Sequence, residues 1–556
     1  MQLNPRHLKV AKLLEGRLFR IPEYQRAYSW QSRQRADLFN DIKEAHRSGR
    51  EHFMATLVAL ARDTREINAD EFNVVELVDG QQRTTTLIML LKALEKNLDL
   101  GVADEAEIKK GLAKLLVKGD EHSLILLQTN HDSSKVFTSY IRSGVIFEPP
   151  KPTIADTNLV KAAHECESFV QEWRNTQGGI ISLVSTVRNK LSVIYHEIED
   201  QATVYRVFEV LNSRGLDVKW IDKLKSQLMA LIFEHVEDAD ARVEAVEEMK
   251  TVWKNIYQAL GNESKIGDEA LRFAGTWASD SRPNRIVSEQ DATAELTRKA
   301  GNAISSIATV GHELEEVVLA NLKLSLDNRL RAVTRIAHAR FVASAIKLRG
   351  FKQAEEKALL EKWERVTFRI FELGGADTRH KVGDYVRLGY DIYTTKLSSV
   401  DIQKRLDEIS ENFSIQEVMK KVDWGDSYSN WSEQLRYLLY RYDEFLAKEA
   451  GEKINASVWN KIWLVEPSSS IEHILPQSSG GGRIHELGNL TMLPPGINSS
   501  LKDCPPADKD QTYISCGLRG TVEVGLTINK QGKWTEAMIK ARTRKIENFI
   551  RSEWGD

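Results

Sequence analysis

The residues best able to do chemistry lie in one stretch near the C-terminal end, Ser470-Ile471-Glu472-His473-Ile474-Leu475-Pro476-Gln477. A glycine-rich run, Ser479-Gly480-Gly481-Gly482, follows. Then come Leu487-Gly488-Asn489-Leu490-Thr491-Met492-Leu493 and Gly496-Ile497-Asn498. An acid-histidine pair closing a short apolar strand, a loop back to a second strand and a short helix carrying a polar residue make a ββα-metal nuclease finger. Phosphodiester hydrolysis needs a base to activate water and a cation for the charge developing on phosphate and leaving oxygen. An imidazole titrates near neutral pH, which suits His473 to the base role. Mg²⁺ takes oxygen ligands and keeps several waters, so Glu472 and the side-chain oxygen of Asn498 suffice to hold it. Asn489 is expected to hold the imidazole in its useful tautomer and orientation. A histidine beside a glutamate is by itself usually a structural pair; the ordered set of residues carries the reading.

A second concentration lies near the N-terminal end. Phe72-Asn73-Val74-Val75-Glu76-Leu77-Val78 reads as a buried strand. It runs into Asp79-Gly80-Gln81-Gln82-Arg83, and Thr84-Thr85-Thr86-Leu87 then opens a helix reaching about Asn97. A strand, a tight glycine turn and a helix start present free backbone N–H groups to an anion. Arg83 opposes the helix dipole there, which makes sense if it grips a phosphate with two hydrogen bonds. Asp79 is placed to position a metal or a hydroxyl, and at least one threonine serves as a cap. Upstream, Tyr24, Gln25, Arg26, Tyr28 and Trp30 gather donors and aromatic rings in one short turn. Taken alone, they read as core rings beside a solvated arginine.

These groups must be positioned by a chain of 556 residues, long enough for two to four domains. Hydrophobic residues make up 42% and charged residues 28%, as in ordinary globular proteins. No apolar run is long enough for a transmembrane helix, and the first residues lack the apolar region of a signal peptide. Cys166, Cys504 and Cys516 form no CxxC pair, which fits a reducing cytoplasm. A net charge of −3 excludes a globally basic nucleic-acid binder, so DNA contact must come from local patches.

A polar helix is expected over about 31–48, a strand over Leu191–Ile198, a helix over Ala202–Leu211 ending at Asn212-Ser213-Arg214-Gly215, and another helix from Trp220. The middle reads as amphipathic helices in a bundle, over Val243–Leu260, Arg329–Leu348, Glu355–Leu373 and Trp431–Leu446. Arg329, Arg331, Arg335, Arg340, Lys347 and Arg349 give one of these a basic face, by default a solvated one, with DNA contact as the alternative. A closing helix over 534–550 turns Ile539, Ile546, Phe549 and Ile550 inward and offers Lys540, Arg542, Arg544 and Lys545 to phosphates or to solvent. The expected domains are 1–235, 236–450 and 451–556.

The segments IPEYQRAYSW, DGQQRTTTL and FEVLNSRGLDV, in that order, resemble the ParB/sulfiredoxin-like domain at the front of GmrSD-type restriction proteins. EHILPQ, LGNLTML and GIN resemble the HNH (His-Me finger) domain at the back of the same family. The resemblance implies an α+β, predominantly helical fold: an α/β N-terminal domain, a helical middle and a ββα-metal finger. It implies a cytoplasmic, nucleotide-coupled, metal-dependent DNA endonuclease of prokaryotic anti-phage defence that senses modification in double-stranded DNA. Both glucosylated hydroxymethylcytosine and phosphorothioate stay open as the mark, as do the nucleotide (GTP, ATP or another) and a homo-oligomeric state. By the resemblance, Asp79, Gly80, Gln81, Gln82 and Arg83 form the nucleotide site with Gln25 and Arg26 as neighbours. His473 is the base, Asn489 orients it, and Asn498 with Glu472 serves the metal. This chain has Glu at 472 where Asp is commoner and Asn at 498 where His is commoner, which favours Mg²⁺ or Mn²⁺ over zinc. The alternative is a nucleotide-dependent sensor or toxin-like regulator whose finger only binds nucleic acid. RNA is a further possible substrate, because the chemistry acts on a phosphate.

Overall fold

A computed structural model of the chain describes residues 5–21, 25–67, 70–118, 127–129, 134–175, 179–199, 219–261, 264–330 and 335–556. The expected helix over 202–211, Asn212 and Arg214 in the loop after it, Tyr24 and Arg331 lie outside the described residues. The chain forms two compact units, Met1–Ala278 with Val287–Leu319, and Ser279–Ile286 with Ala320–Asp556. The helical span 236–450 is thus divided between the two. The fold is α+β and predominantly helical. No helix among the described residues is long and apolar enough to cross a membrane.

The first unit is built on a mixed sheet of β1 (Arg6–Lys9), β2 (Arg17–Ile21), β3 (His52–Ile67), β4 (Asp70–Asp79), β5 (Leu127–Thr129) and β6 (Leu191–Ile198), in the order β1-β6-β3-β4-β2-β5. β3 is antiparallel to β4 and parallel to β6, while β2 runs parallel to both β4 and β5. Strands β4 and β6 fall where their apolar patterning places them; β3 was not anticipated. Its outer half, Arg62-Asp63-Thr64-Arg65-Glu66, is polar and exposed, so it shows no alternation to read.

Helix Gln81–Asn97 leaves the end of β4 and starts three residues earlier than expected. Its turns from Leu87 to Leu91, with Ala93 and Leu94, are buried at 0–2% exposure. A helix apolar all round belongs inside. Helices Ala103–Leu116, Ser134–Ser143, Ile154–Trp173 and Ile180–Asn189 surround it.

In the second unit the basic stretch does not form the continuous helix expected over Arg329–Leu348. The helix covers only Ala337–Leu348. Four of the basic residues have partners: Arg335 pairs with Glu372, Lys347 with Glu356, Arg329 with Glu361 and Glu444, and Arg340 donates to Ser325 Oγ. Arg329, Arg335 and Lys347 are thus held by carboxylates. Helix Gln353–Thr367 runs into a wider π-helical turn at Phe368–Leu373, then Glu433–Glu449 and the closing helix Glu536–Glu553 complete the body. Ile539, Ile546, Phe549 and Ile550 are buried, as their spacing predicts.

Candidate active sites

In the second unit β7 (Ile471–His473) pairs antiparallel with β8 (Leu490–Met492), and helix Pro495–Leu501 follows. The register sets Glu472 opposite Thr491 and His473 opposite Leu490. Consecutive strand residues point to opposite faces, so Glu472 and His473 look in different directions. The hairpin lies against the closing helix. A Cβ on Gly488 would come within 2.0 Å of Ile539 O and 2.6 Å of Thr543 Oγ1, so only glycine allows this approach. Arg542 is buried and donates to Gly488 O at 3.2 Å and Leu490 O at 2.6 Å. It therefore clamps the hairpin and is not available to phosphates. Lys545 is paired with Glu523.

His473 is 6% exposed. Its Nδ1 faces the Gln477 amide nitrogen at 3.2 Å, and its Nε2 faces His485 Nδ1 at 3.1 Å. The Tyr428 ring meets it edge-on at 4.5 Å and stacks on His485 at 5.4 Å. Burial, and then the electrostatic influence of His485 and Lys509, push the His473 pKa down to about 4. At neutral pH the ring is therefore uncharged and able to accept a proton.

Asn489 is fully buried, but its side chain does not touch the imidazole. It accepts from Leu475 N–H at 2.8 Å and donates to Leu475 O at 3.0 Å and Ile484 O at 2.8 Å. Its hold on His473 runs through the backbone of the loop, and the ring contacts come from Gln477 and His485. Glu472 is buried on the other face, where its Oε1 accepts from Lys509 Nζ at 2.7 Å and Tyr513 OH at 2.7 Å. Lys509 also donates to His473 O at 2.9 Å. Asn498 donates through Nδ2 to Ser469 O at 3.0 Å, while its Oδ1 is a buried acceptor with no hydrogen-bond partner among the described residues. An unsatisfied buried oxygen is a donor atom a hard cation would take. Among the described residues no three His, Cys, Asp or Glu side chains converge as a metal cluster.

His485, Tyr428 and Lys509 escaped the sequence reading. His485 sits in the inter-strand loop of the finger, and its position four residues before Asn489 was the one available signal. Tyr428 is held by its own N–H to His485 O at 3.3 Å, far from the motif in sequence, and nothing local marks it.

In the first unit Gly80 adopts φ +87, and a Cβ there would lie 2.3 Å from Leu57 Cδ2. β3 shifts register between Val58 and Ala59, where Val58 pairs with Asp79. A bulge of this kind re-aims side chains beside sites. The Asp79 carboxylate takes the Gly80 N–H at 2.7 Å. Burial raises its pKa above the usual carboxylate value; Gly80 N–H, Arg26 and Arg83 oppose this, and Asp222 adds to it. Gln25 and Gln82 stitch the upstream loop to the turn: Gln25 donates to Val78 O, Gln82 donates to Ala27 O and accepts from Ser29 N–H. Gln81 donates to Gln25 Oε1 at 3.4 Å. Tyr28 OH meets Thr86 Oγ1 at 2.7 Å. Gln25 and Gln82 thus spend their side chains on the protein. The Arg83 guanidinium lies 5.6 Å from the Trp30 ring centre, and its Nε is buried with no hydrogen-bond partner among the described residues. The three threonines bond back to Gly80, Gln81 and Gln82 carbonyls and cap nothing.

The helix Trp220–His235 adds groups the sequence placed only as a helix start. Tyr257 donates to Asp222, and Lys225 is buried with its pKa pushed down to about 8 by that burial. Arg26 lies within electrostatic reach of Lys225 and Tyr257.

No curated protein matches the chain. Two family models do: the GmrSD restriction endonuclease N-terminal domain matches residues 10–229, and the GmrSD restriction endonuclease C-terminal domain matches residues 414–548. The first match takes in the glycine turn with Asp79 and Arg83; the second takes in the finger together with Tyr428, and between them they cover more than half of the chain. With both parts in their family order, the chain belongs to the GmrSD restriction endonucleases, DNA-cutting enzymes of restriction defence.

Proposed function

We propose that the chain is a metal-dependent, nucleotide-coupled endonuclease that senses modification in phage DNA and acts in the cytoplasm, with the finger as its cutting site. The observation that carries this is His473: a buried, neutral imidazole on a hairpin, held at both ring nitrogens. Such a group is unprotonated near neutral pH, so its lone pair is open to a proton from the attacking water. His473 acts as that base and returns its proton as product leaves. Asn489 fixes the loop that carries it, and Lys509 supplies a positive charge on the opposite face of the strand.

Asn498 Oδ1 fits a hydrated Mg²⁺ or Mn²⁺, which needs only one or two protein oxygens. Glu472 joins it only by giving up Lys509 or using its second oxygen. When bound, such an ion stabilises negative charge on the phosphate and the leaving oxygen. In the first unit the helix-start N–H groups with Arg83 are the proposed phosphate contacts of a nucleotide, and Asp79 contacts its hydroxyl or its metal.

The test is nicking of supercoiled plasmid in Mg²⁺, with matched modified and unmodified DNA and each NTP in turn. His473→Ala is expected to abolish cleavage while keeping DNA binding; wild-type cutting by this variant removes His473 from the base role. Arg83→Ala is expected to lose nucleotide turnover with the fold intact, and unchanged turnover refutes the N-terminal site. Persisting DNA binding with no cleavage by the wild type under any condition favours the regulator reading.

A further inference from the structure

We infer that His485 is a positioning residue that fixes the tautomer of His473, so that His473 Nδ1 faces the nucleophile and its proton sits on Nε2. The inference rests on the reading of His473 as the base. An amide nitrogen only donates, so the Gln477 amide 3.2 Å away makes His473 Nδ1 an acceptor. A neutral imidazole carries one proton, which therefore lies on Nε2 and is donated to His485 Nδ1 at 3.1 Å. His485 in turn keeps its own proton on Nε2.

The surroundings hold this arrangement. Tyr428 stacks on the His485 ring with planes 14° apart and binds the His485 carbonyl through its backbone N–H at 3.3 Å. Leu487 N–H, two residues on, is tied to Trp424 O at 3.0 Å. The acceptor is thus fixed by a segment outside the hairpin. Gln477, by contrast, is exposed on a short 3₁₀ turn, Gln477–Ser479. Its N–H stands where an O–H of the attacking water would point, and an exposed glutamine is easily displaced. The buried side of the ring is locked and the open side is the reactive one. In the proton transfer, water O–H gives its proton to Nδ1, the oxygen keeps the electron pair and attacks phosphorus, and the phosphorus bond to the leaving oxygen breaks; that oxygen departs with the bonding pair and is protonated by solvent, while the resulting imidazolium holds its second N–H on His485 Nδ1 and later returns its added proton to solvent.

The test uses the full-length protein, supercoiled plasmid and Mg²⁺ under the conditions in which the wild type nicks. His485→Phe keeps the ring stacked on Tyr428 and removes the acceptor. His485→Asn returns an acceptor oxygen at the place of Nδ1. The expected result is a cleavage rate lowered by about 10–100-fold in His485→Phe with unchanged DNA affinity, and recovered to within about threefold of wild type in His485→Asn. In a His473→Ala background, His485→Phe is expected to add no further loss. Long-range ¹H–¹⁵N spectra of histidine-labelled protein should show His473 protonated on Nε2 in wild type and in His485→Asn, and a changed tautomer balance in His485→Phe. Cutting by His485→Phe within about twofold of wild type, or an Asn variant as slow as the Phe variant, overturns the inference. If His473→Ala itself cuts like wild type, the base assignment has failed; if His473→Ala is inactive and His485→Phe is not, the tautomer role alone has failed.

Discussion

Replacing Lys509 by Met tests whether the buried pair beneath β7 holds the hairpin together. Lys509 is fully buried and Glu472 is 5% exposed, with 2.7 Å between ammonium and carboxylate. Removing one partner of a buried pair strands the other charge and costs about 3–5 kcal/mol. Tyr513 still donates to the same carboxylate oxygen, so the low end, about 3 kcal/mol, is expected. For a unit of this size each kcal/mol moves the melting temperature by about 2–4 °C, which gives a drop of about 6–12 °C. Thermal unfolding measures the total, and hydrogen exchange of peptides spanning Ile471–His473 and Leu490–Met492 should localise the loss to the hairpin. Glu472→Gln combined with Lys509→Met removes both charges and should recover about 2 kcal/mol of the loss. A Lys509→Met protein within about 1 kcal/mol of wild type, or a double variant whose loss is the sum of the singles, refutes the reasoning.

Gly80→Ala should destabilise the first unit by about 2–4 kcal/mol, from the positive φ and the collision with Leu57 Cδ2. Adding Leu57→Ala should relieve only the steric part, and urea unfolding of the two variants checks this. The acid limb of plasmid nicking should fall well below pH 6.5, because burial holds His473 at about 4 and the base stays neutral above that. The same depression removes stability as pH falls from 6.5 towards 4, since the unfolded chain takes up a proton there that the folded finger refuses. A half-maximal cleavage rate near pH 6.5 would contradict the burial of the imidazole.

Much of the local frame was legible in the residues. The strands at 70–79 and 191–198, the helix after Gly80 and the hairpin with its short helix all follow from apolar periodicity punctuated by glycine and proline. The order of the motifs carried the family. Three features were not legible. β3 is long and half polar, and it forms because β4 and β6 flank it, a non-local cause. Arg329 and Arg335 are paired with acids distant in sequence, Glu444 and Glu372. Arg542 read as a solvent-facing cation, yet it lies beneath the hairpin on its carbonyls.

The sequence by itself determined which residue types stand ready for phosphate chemistry, because a base, an oxygen donor and an anion-binding turn are properties of side chains and short-range backbone. Only the tertiary structure decided what each of them does. It turned Glu472 away from His473 towards a buried lysine, set Asn489 to hold the loop backbone, and brought His485 and Tyr428 to the ring. The physical reason is that a pKa, a tautomer and a free lone pair are fixed by the groups within a few ångströms. Packing chooses those groups from segments that periodicity and spacing do not connect.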